Sequence, residues 1–402
     1  MKLPLEGIKV VELGTHVVVP NASRFLADWG AEVIKVEGLE GELWRIVGLQ
    51  YSTPVTAEEN PLFAEQNANK KFAAINLKTP EGIKIIKDLI ADADIFMTNV
   101  RLNSLIKLGL DYESLESVNE KLIYAHLSGY GYEGPDAGRP GFDLATFWAR
   151  TGTMCDWVST GDFPFRPPGG FGDAATSVPF TAGVLAALYA REKTGKGTFV
   201  TSSLYASALW FNQVGIISAA PQYGNPYPKS KMSPANPFSH IYKCKDEEWL
   251  IVTITNYNTD YDKFCRVLGL EKYVGDPRYN NLKTVKDHIV EFVTILNDIF
   301  LQKDRDEWVK LFNAADIVCE KLLHSRDVSS DPQAWANGYF NEVTYPSGNK
   351  TAFPVVPVQF KDYKVEKFEL PGTVGRDTKE ILNKYGYTDA DFDQLAAKRI
   401  VK

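Results

Sequence analysis

IKVVELGTHVVVPNASRFLADWGAEVIKVE, Ile8–Glu37, is the stretch that decides the fold. Ile8 to Gly14 is a short apolar run closed by a glycine, a strand pattern. Pro20 to Gly30 reads as a helix, with Phe25 and Leu26 turned inward and Gly30 as its stop. EVIKVE, Glu32–Glu37, is a second strand. Strand, helix, strand is the unit of a parallel sheet, because parallel neighbours need a long crossover and that crossover is right-handed.

The same alternation continues outward. FAAINL, Phe72–Leu77, reads as a third strand, IFMTNV, Ile95–Val100, as a fourth, and LIYAHLS, Leu122–Ser128, as a fifth. Between them Thr79 and Pro80 open a helix, with Ile83, Ile86, Leu89 and Ile90 on one face. The expected fold class is α/β: a doubly wound, Rossmann-like large domain with a mostly parallel sheet, plus a small α/β domain. The large domain is expected at 1–220 and 335–402, a Pro/Gly/Asn/Ser-rich linker at 221–238, and the small domain at 239–330. Within the small domain SHIYKCKDEEWLIVTIT predicts a hairpin turning at Lys245–Glu247. Residues 173–190 and 203–220 read as two long uncharged helices. The apolar stretch within 197–228 is expected to be a buried core helix and not a membrane span, because Asn212 and Gln213 interrupt it.

Composition sets bounds. The 402 residues are 44% hydrophobic and 24% charged, a globular balance. Lys plus Arg number 44 against 51 Asp plus Glu, a net charge of −7. That balance predicts no nucleic-acid partner. The four cysteines, Cys155, Cys244, Cys265 and Cys319, form no CxxC pair, and no two of the five histidines have helical ligand spacing, so neither a zinc site nor any other metal is expected. The N-terminal stretch has no basic region leading an apolar one, so the expected location is cytoplasmic, without membrane association.

Gly129, Gly131 and Gly134 match GxGxxG after a strand. Pro135, Asp136, Gly138 and Pro140 follow, so no helix begins where a pyrophosphate would need it, and the match reads as a glycine-rich loop. His126 reads as a satisfied sheet residue. PPGGFGDAATSVPFTAGVLAALYA, Pro167–Ala190, carries more chemistry. Gly169, Gly170 and Gly172 allow close backbone approach, and Asp173 stands where a long helix begins. It reads as that helix's N-cap and, compatibly, as a carboxylate presented on a glycine turn and kept ionised by the helix N-terminus, among N–H groups that can stabilise an oxyanion.

These motifs resemble the class III CoA-transferase family, the group that includes formyl-CoA transferase. The resemblance is carried by Leu3–Glu37, NANKKFAAINLKTPEG, ADIFMTNVRLNSLIKLG, LSGYGYEGP, RPGFDL and GGFGD followed by AAT, in family order. NPFSHIYKCKD and DPQAWANGYF are similar to the clostridial branch acting on 2-hydroxy acids and aryl-lactates, which work in amino-acid fermentation. The resemblance implies ring-shaped subunits interlocked as a homodimer. It implies no permanently bound cofactor, with coenzyme A as the carrier and an acyl-CoA and a carboxylic acid as substrates. It places the catalytic carboxylate on Asp173, and CoA contacts on Val17, Val18, Ile75, Lys78, Asn99, Val100, Lys107 and Leu108. Phe142, Phe147 and Trp148 are candidates for an apolar acyl pocket, with core packing as the other reading.

The expected reaction moves CoA from an acyl-CoA to a branched or aromatic 2-hydroxy acid through aspartyl anhydride and aspartyl-CoA thioester intermediates. Two alternatives stand beside it: an α-methylacyl-CoA racemase on the same fold, and a non-catalytic CoA-binding protein. Phe142 occupies the position where family racemases place a proton-transferring histidine, and a phenyl ring cannot move a proton. Gly38 stands where many relatives have a basic residue, and Arg45 is a candidate replacement.

Overall fold

The computed structural model describes residues 3–224, 226–363 and 368–402. They divide into two compact units: Met1–Thr153 with Arg166–Ile217 and Pro332–Lys402, and Met154–Phe165 with Ser218–Asp331. The short segment 154–165 packs with the second unit, although it lies within the expected first domain and nothing in its composition marks it out.

The first unit is built on a six-stranded, all-parallel sheet ordered β3-β2-β1-β4-β5-β6. The strands are β1 (Lys9–Leu13), β2 (Glu32–Glu37), β3 (Lys71–Ala74), β4 (Ile95–Thr98), β5 (Ile123–Ser128) and β6 (Thr198–Ser203). This is the doubly wound order, and it reverses direction between β1 and β4. Apolar residues fill both faces: Val10, Val33, Met97 and Ala125 pack with Leu26 and Val184, while Val11, Ile34, Phe96 and Tyr124 pack with Ile86 and Leu89.

Helix α1 (Val18–Asp28) starts two residues before the expected Pro20, with Pro20 at its third position. Helix α2 is Pro61–Asn67 and α3 is Pro80–Ala91, the latter capped by Thr79, whose hydroxyl accepts from the Gly82 N–H. Helices α4 (Leu102–Leu108) and α5 (Tyr112–Glu116) follow β4. Helix α6 (Phe171–Thr194) is longer than the expected 173–190 and packs on α1 and on the sheet beside β5 and β6. The expected helix over 203–220 is corrected twice. TFVTSS before it is the sixth strand, and the apolar run breaks at Asn212 into α7 (Leu204–Phe211) and α8 (Gln213–Ser218). Nor is it a core helix: Trp210 is 68% and Ile217 61% exposed.

The second unit holds a three-stranded antiparallel sheet, β7 (His240–Lys243), β8 (Trp249–Thr253) and β9 (Val318–Lys321), with the hairpin turn at the expected place. Its aromatic core gathers Phe238, Tyr257, Tyr261, Phe264, Phe292 and Phe300.

Candidate active site

In an open parallel sheet the strands end at a shared edge, and a crevice opens where the strand order reverses. Here the segments leaving β1, β4 and β5 surround a cleft of about 850 Å³. Thr15–Val18 line it from β1, Asn99–Ser104 and Lys107 from β4, and His126–Gly129 with Gly131 and Tyr132 from β5. Residues 137–142, Asp173 and Leu204 complete the wall.

The turn after β1 is held from two sides. Asn99 grips Thr15 reciprocally: its Oδ1 accepts the Thr15 N–H at 3.0 Å and its Nδ2 donates to the Thr15 carbonyl at 2.9 Å. The His16 N–H donates to Glu42 Oε2 at 2.7 Å. Val17 precedes α1 and offers no side-chain cap, so the first N–H groups of α1 have no side-chain partner at the N-cap.

His126 is 2% exposed, with Nε2 2.8 Å from the Val100 carbonyl and Nδ1 beside the Tyr132 hydroxyl. Burial lowers its pKa, which favours the neutral ring. Nε2–H then donates to Val100, and Nδ1 accepts from Tyr132. It is the satisfied residue expected from the sequence, at the cleft's edge. The glycine loop 129–141 opens no helix, and its Gly129 and Gly131 line the cleft.

Asp173 is the third residue of α6 and does not cap it. The N-cap is Gly170, at φ +91°, a conformation that glycine adopts without steric cost. The capping carboxylate comes from Asp143, 30 residues before Asp173 in sequence: its Oδ2 accepts the Gly170 N–H at 2.5 Å. Gly172 is needed for this approach, since a Cβ there would collide with Asp143 and lie 2.5 Å from Phe147 Cγ. The Gly170 N–H is therefore taken up by Asp143, and of the expected oxyanion donors Gly169, Gly170 and Gly172 it is not free. Burial, and then the negative charge of Asp143, push the half-buried Asp173 carboxyl up to about 7. Asp143 itself is raised by burial, which outweighs the opposing hydrogen bond from Gly170.

Of the residues anticipated from the sequence, Val17, Val18, Asn99, Val100, Lys107, Phe142 and Asp173 line one cleft. Leu108 ends α4 next to Lys107. Ile75 lies in the core, bridged to Val401, and Lys78 is on the surface; neither lines the cleft. Phe147 and Trp148 are 5% and 4% exposed and pack on each other and on Phe211 and Phe171, so packing is their role. Phe142 alone of the three faces the cleft, 61% exposed, its ring edge-on to His16 at 5.7 Å. Arg101 and Arg139, which the sequence reading passed over, add two guanidinium groups to the lining. Arg45 does not stand in at the cleft: it is bound to Glu37 at 2.7 Å and lies over Phe63.

Residues 5–378 match the model of CoA-transferase family III. The (R)-2-hydroxy-4-methylpentanoate CoA-transferase of Clostridioides difficile is 37% identical, with 99% of each chain covered. The cinnamoyl-CoA:phenyllactate CoA-transferase of Clostridium sporogenes is 38% identical over 97% of this chain and 95% of its own. Among solved structures, a CaiB/BaiF family protein from Brucella suis superposes with a TM-score of 0.83 at 25% identity, covering 96% of this chain and 100% of that one.

Proposed function

The chain belongs to CoA-transferase family III and is an enzyme, and from that premise we propose that it transfers CoA from an acyl-CoA to a branched or aromatic 2-hydroxy acid. The observation that carries the reading is Asp173: a carboxylate on a helix start, at the wall of the cleft where the sheet reverses order. The two relatives named for hydroxy-acid substrates support the acceptor class.

Exchanging one thioester for another needs no net hydrolysis, and a carboxylate nucleophile suits that task. Asp173 attacks the donor thioester carbonyl, the C–S bond breaks, and a mixed anhydride and CoA thiolate result. The thiolate attacks the aspartyl carbonyl, releasing the donor acid and leaving an aspartyl-CoA thioester. The acceptor carboxylate displaces CoA to form a second anhydride. CoA then attacks the acceptor's acyl carbon and regenerates the Asp173 carboxylate. Each intermediate is open to water, so the cleft must exclude it. Arg101, Lys107 and Arg139 suit the phosphates of CoA, and Phe142 with the His16 ring suits an apolar acyl side chain.

We also propose a homodimer. Leu209, Trp210, Phe211, Ile216 and Ile217 form an exposed apolar face of a kind that monomers rarely leave in water.

The test is a transfer assay with short, branched and aromatic 2-hydroxy acids and their CoA thioesters. Transfer to the branched or aromatic acids is expected in the wild type and none in Asp173→Ala, with Asp173 trapped by hydroxylamine during turnover. Transfer only to other carboxylic acids rejects the acceptor class, and near-normal transfer by the variant rejects the mechanism.

A further inference from the structure

We propose that Glu42 is a positioning residue of this active site, acting through the backbone of His16. The inference rests on the reading of the cleft as the transfer site.

His16 is a non-glycine residue at φ +63°, a left-handed conformation that costs free energy unless its surroundings hold it. Its ring and the two valines after it line the cleft. The hold comes from below the turn. Glu42, with a side chain 3% exposed, accepts the His16 N–H through Oε2 at 2.7 Å. Its other oxygen, Oε1, lies 2.7 Å from Lys35 Nζ.

Lys35 is fully buried, 2.7 Å from Glu12 Oε1, and donates to the Gly14 carbonyl at 2.9 Å. Lys70, also buried, donates to Glu12 Oε2 and to the Pro20 carbonyl at the start of α1. Four buried charges of alternating sign thus connect β1, β2 and the segment before β3 to the turn that forms the cleft. Burial alone would discharge Lys35 and Glu12. Their mutual attraction outweighs it, raising the Lys35 pKa and holding the Glu12 carboxyl down. A network satisfied in this way is rigid, and removing one member leaves its partner unpaired. The proposed reaction does not consume any of these four groups, so positioning is the role left to them.

Glu42→Gln is the incisive variant. The amide keeps the shape but has one acceptor oxygen, so it can serve Lys35 or the His16 N–H but not both. The expected result is a fall in kcat of about tenfold, with KM for the acyl-CoA changed less than about threefold. Glycine accepts φ +63° freely, so in a His16→Gly background the same Glu42→Gln change should cost less than about threefold in kcat. Unchanged kcat in Glu42→Gln overturns the proposal, as does an equal loss in both backgrounds.

Should Glu42→Gln fail to fold, hydrogen exchange of the wild-type His16 N–H decides instead. Slow exchange is expected, and exchange at the rate of a free peptide overturns the proposal. Wild-type protein that transfers CoA to no acid counts against the function and leaves the exchange test intact.

Discussion

The carboxylate of Asp143 accepts the N–H of Gly170 and so caps the helix that carries Asp173. One carboxylate therefore fixes the backbone that carries the proposed nucleophile and adds its charge to burial, the larger cause, in raising the Asp173 pKa to about 7.

The rate should follow that pKa. In the proposed mechanism only the ionised Asp173 attacks, so kcat/KM should rise with pH through about 7. Asp143→Asn removes the like charge while keeping an acceptor for the Gly170 N–H. Its acid limb should move to lower pH, although burial of Asp173 keeps it above an ordinary carboxylate. A limb that stays in place in pH–rate profiles shows that the Asp143 charge does not reach Asp173.

Stability should run the opposite way. Asp173 binds a proton in the folded state up to about 7, whereas the unfolded carboxyl releases it near 4. Folding stability is therefore lost between roughly pH 4 and 7 as pH rises. Asp173→Asn should be more stable than wild type at pH 8, by roughly 2–4 kcal/mol, and should lose that advantage near pH 4. Chemical denaturation at the two pH values measures it, and no pH dependence of the difference contradicts the raised pKa.

Gly172→Ala should destabilise the protein. An alanine is worth about 1 kcal/mol to a helix. Here its Cβ would meet Asp143 and lie 2.5 Å from Cγ of the buried Phe147, and such overpacking costs about 1–3 kcal/mol. A lower Tm together with weaker transfer is the expected pair of effects. A higher Tm would mean that the two side chains can step aside.

Lys107 and Lys78 should separate. Lys107 lines the cleft and Lys78 does not, so Lys107→Ala should raise KM for the acyl-CoA about tenfold, as loss of a charge-assisted phosphate contact would. Lys78→Ala should have the smaller effect, and the Lys107 effect should shrink in high salt. Equal effects would place the CoA phosphates elsewhere.

The apolar face of α7 and α8 should be an interface. Placing a carboxylate at Trp210 or Ile217, as in Trp210→Glu or Ile217→Asp, should shift the protein towards monomer in sedimentation, since each side chain carries about 1.5–3 kcal/mol of burial. A wild-type monomer at micromolar concentration would contradict the homodimer.

Local pattern determined much of this protein. Alternating apolar runs and helical periodicity from Ile8 to Ser128 specify five parallel strands in sequence, because each signal lies within one element. The glycine run before Asp173 marks the candidate nucleophile for the same reason. β6 escaped because TFVTSS adjoins a longer apolar run whose pattern dominates it, and the exposure of Trp210 and Ile217 escaped because an apolar residue reads alike in a core and in an interface. Only the tertiary structure decided what acts across the chain. Asp143 reaches Gly170 over 27 residues, Glu42 reaches His16 over 26, and Arg101 and Arg139 meet at one cleft although two helices, a strand and a loop separate them. No periodicity encodes such pairs. They form because strands distant in sequence end at one edge of the sheet, where a buried charge must find a partner.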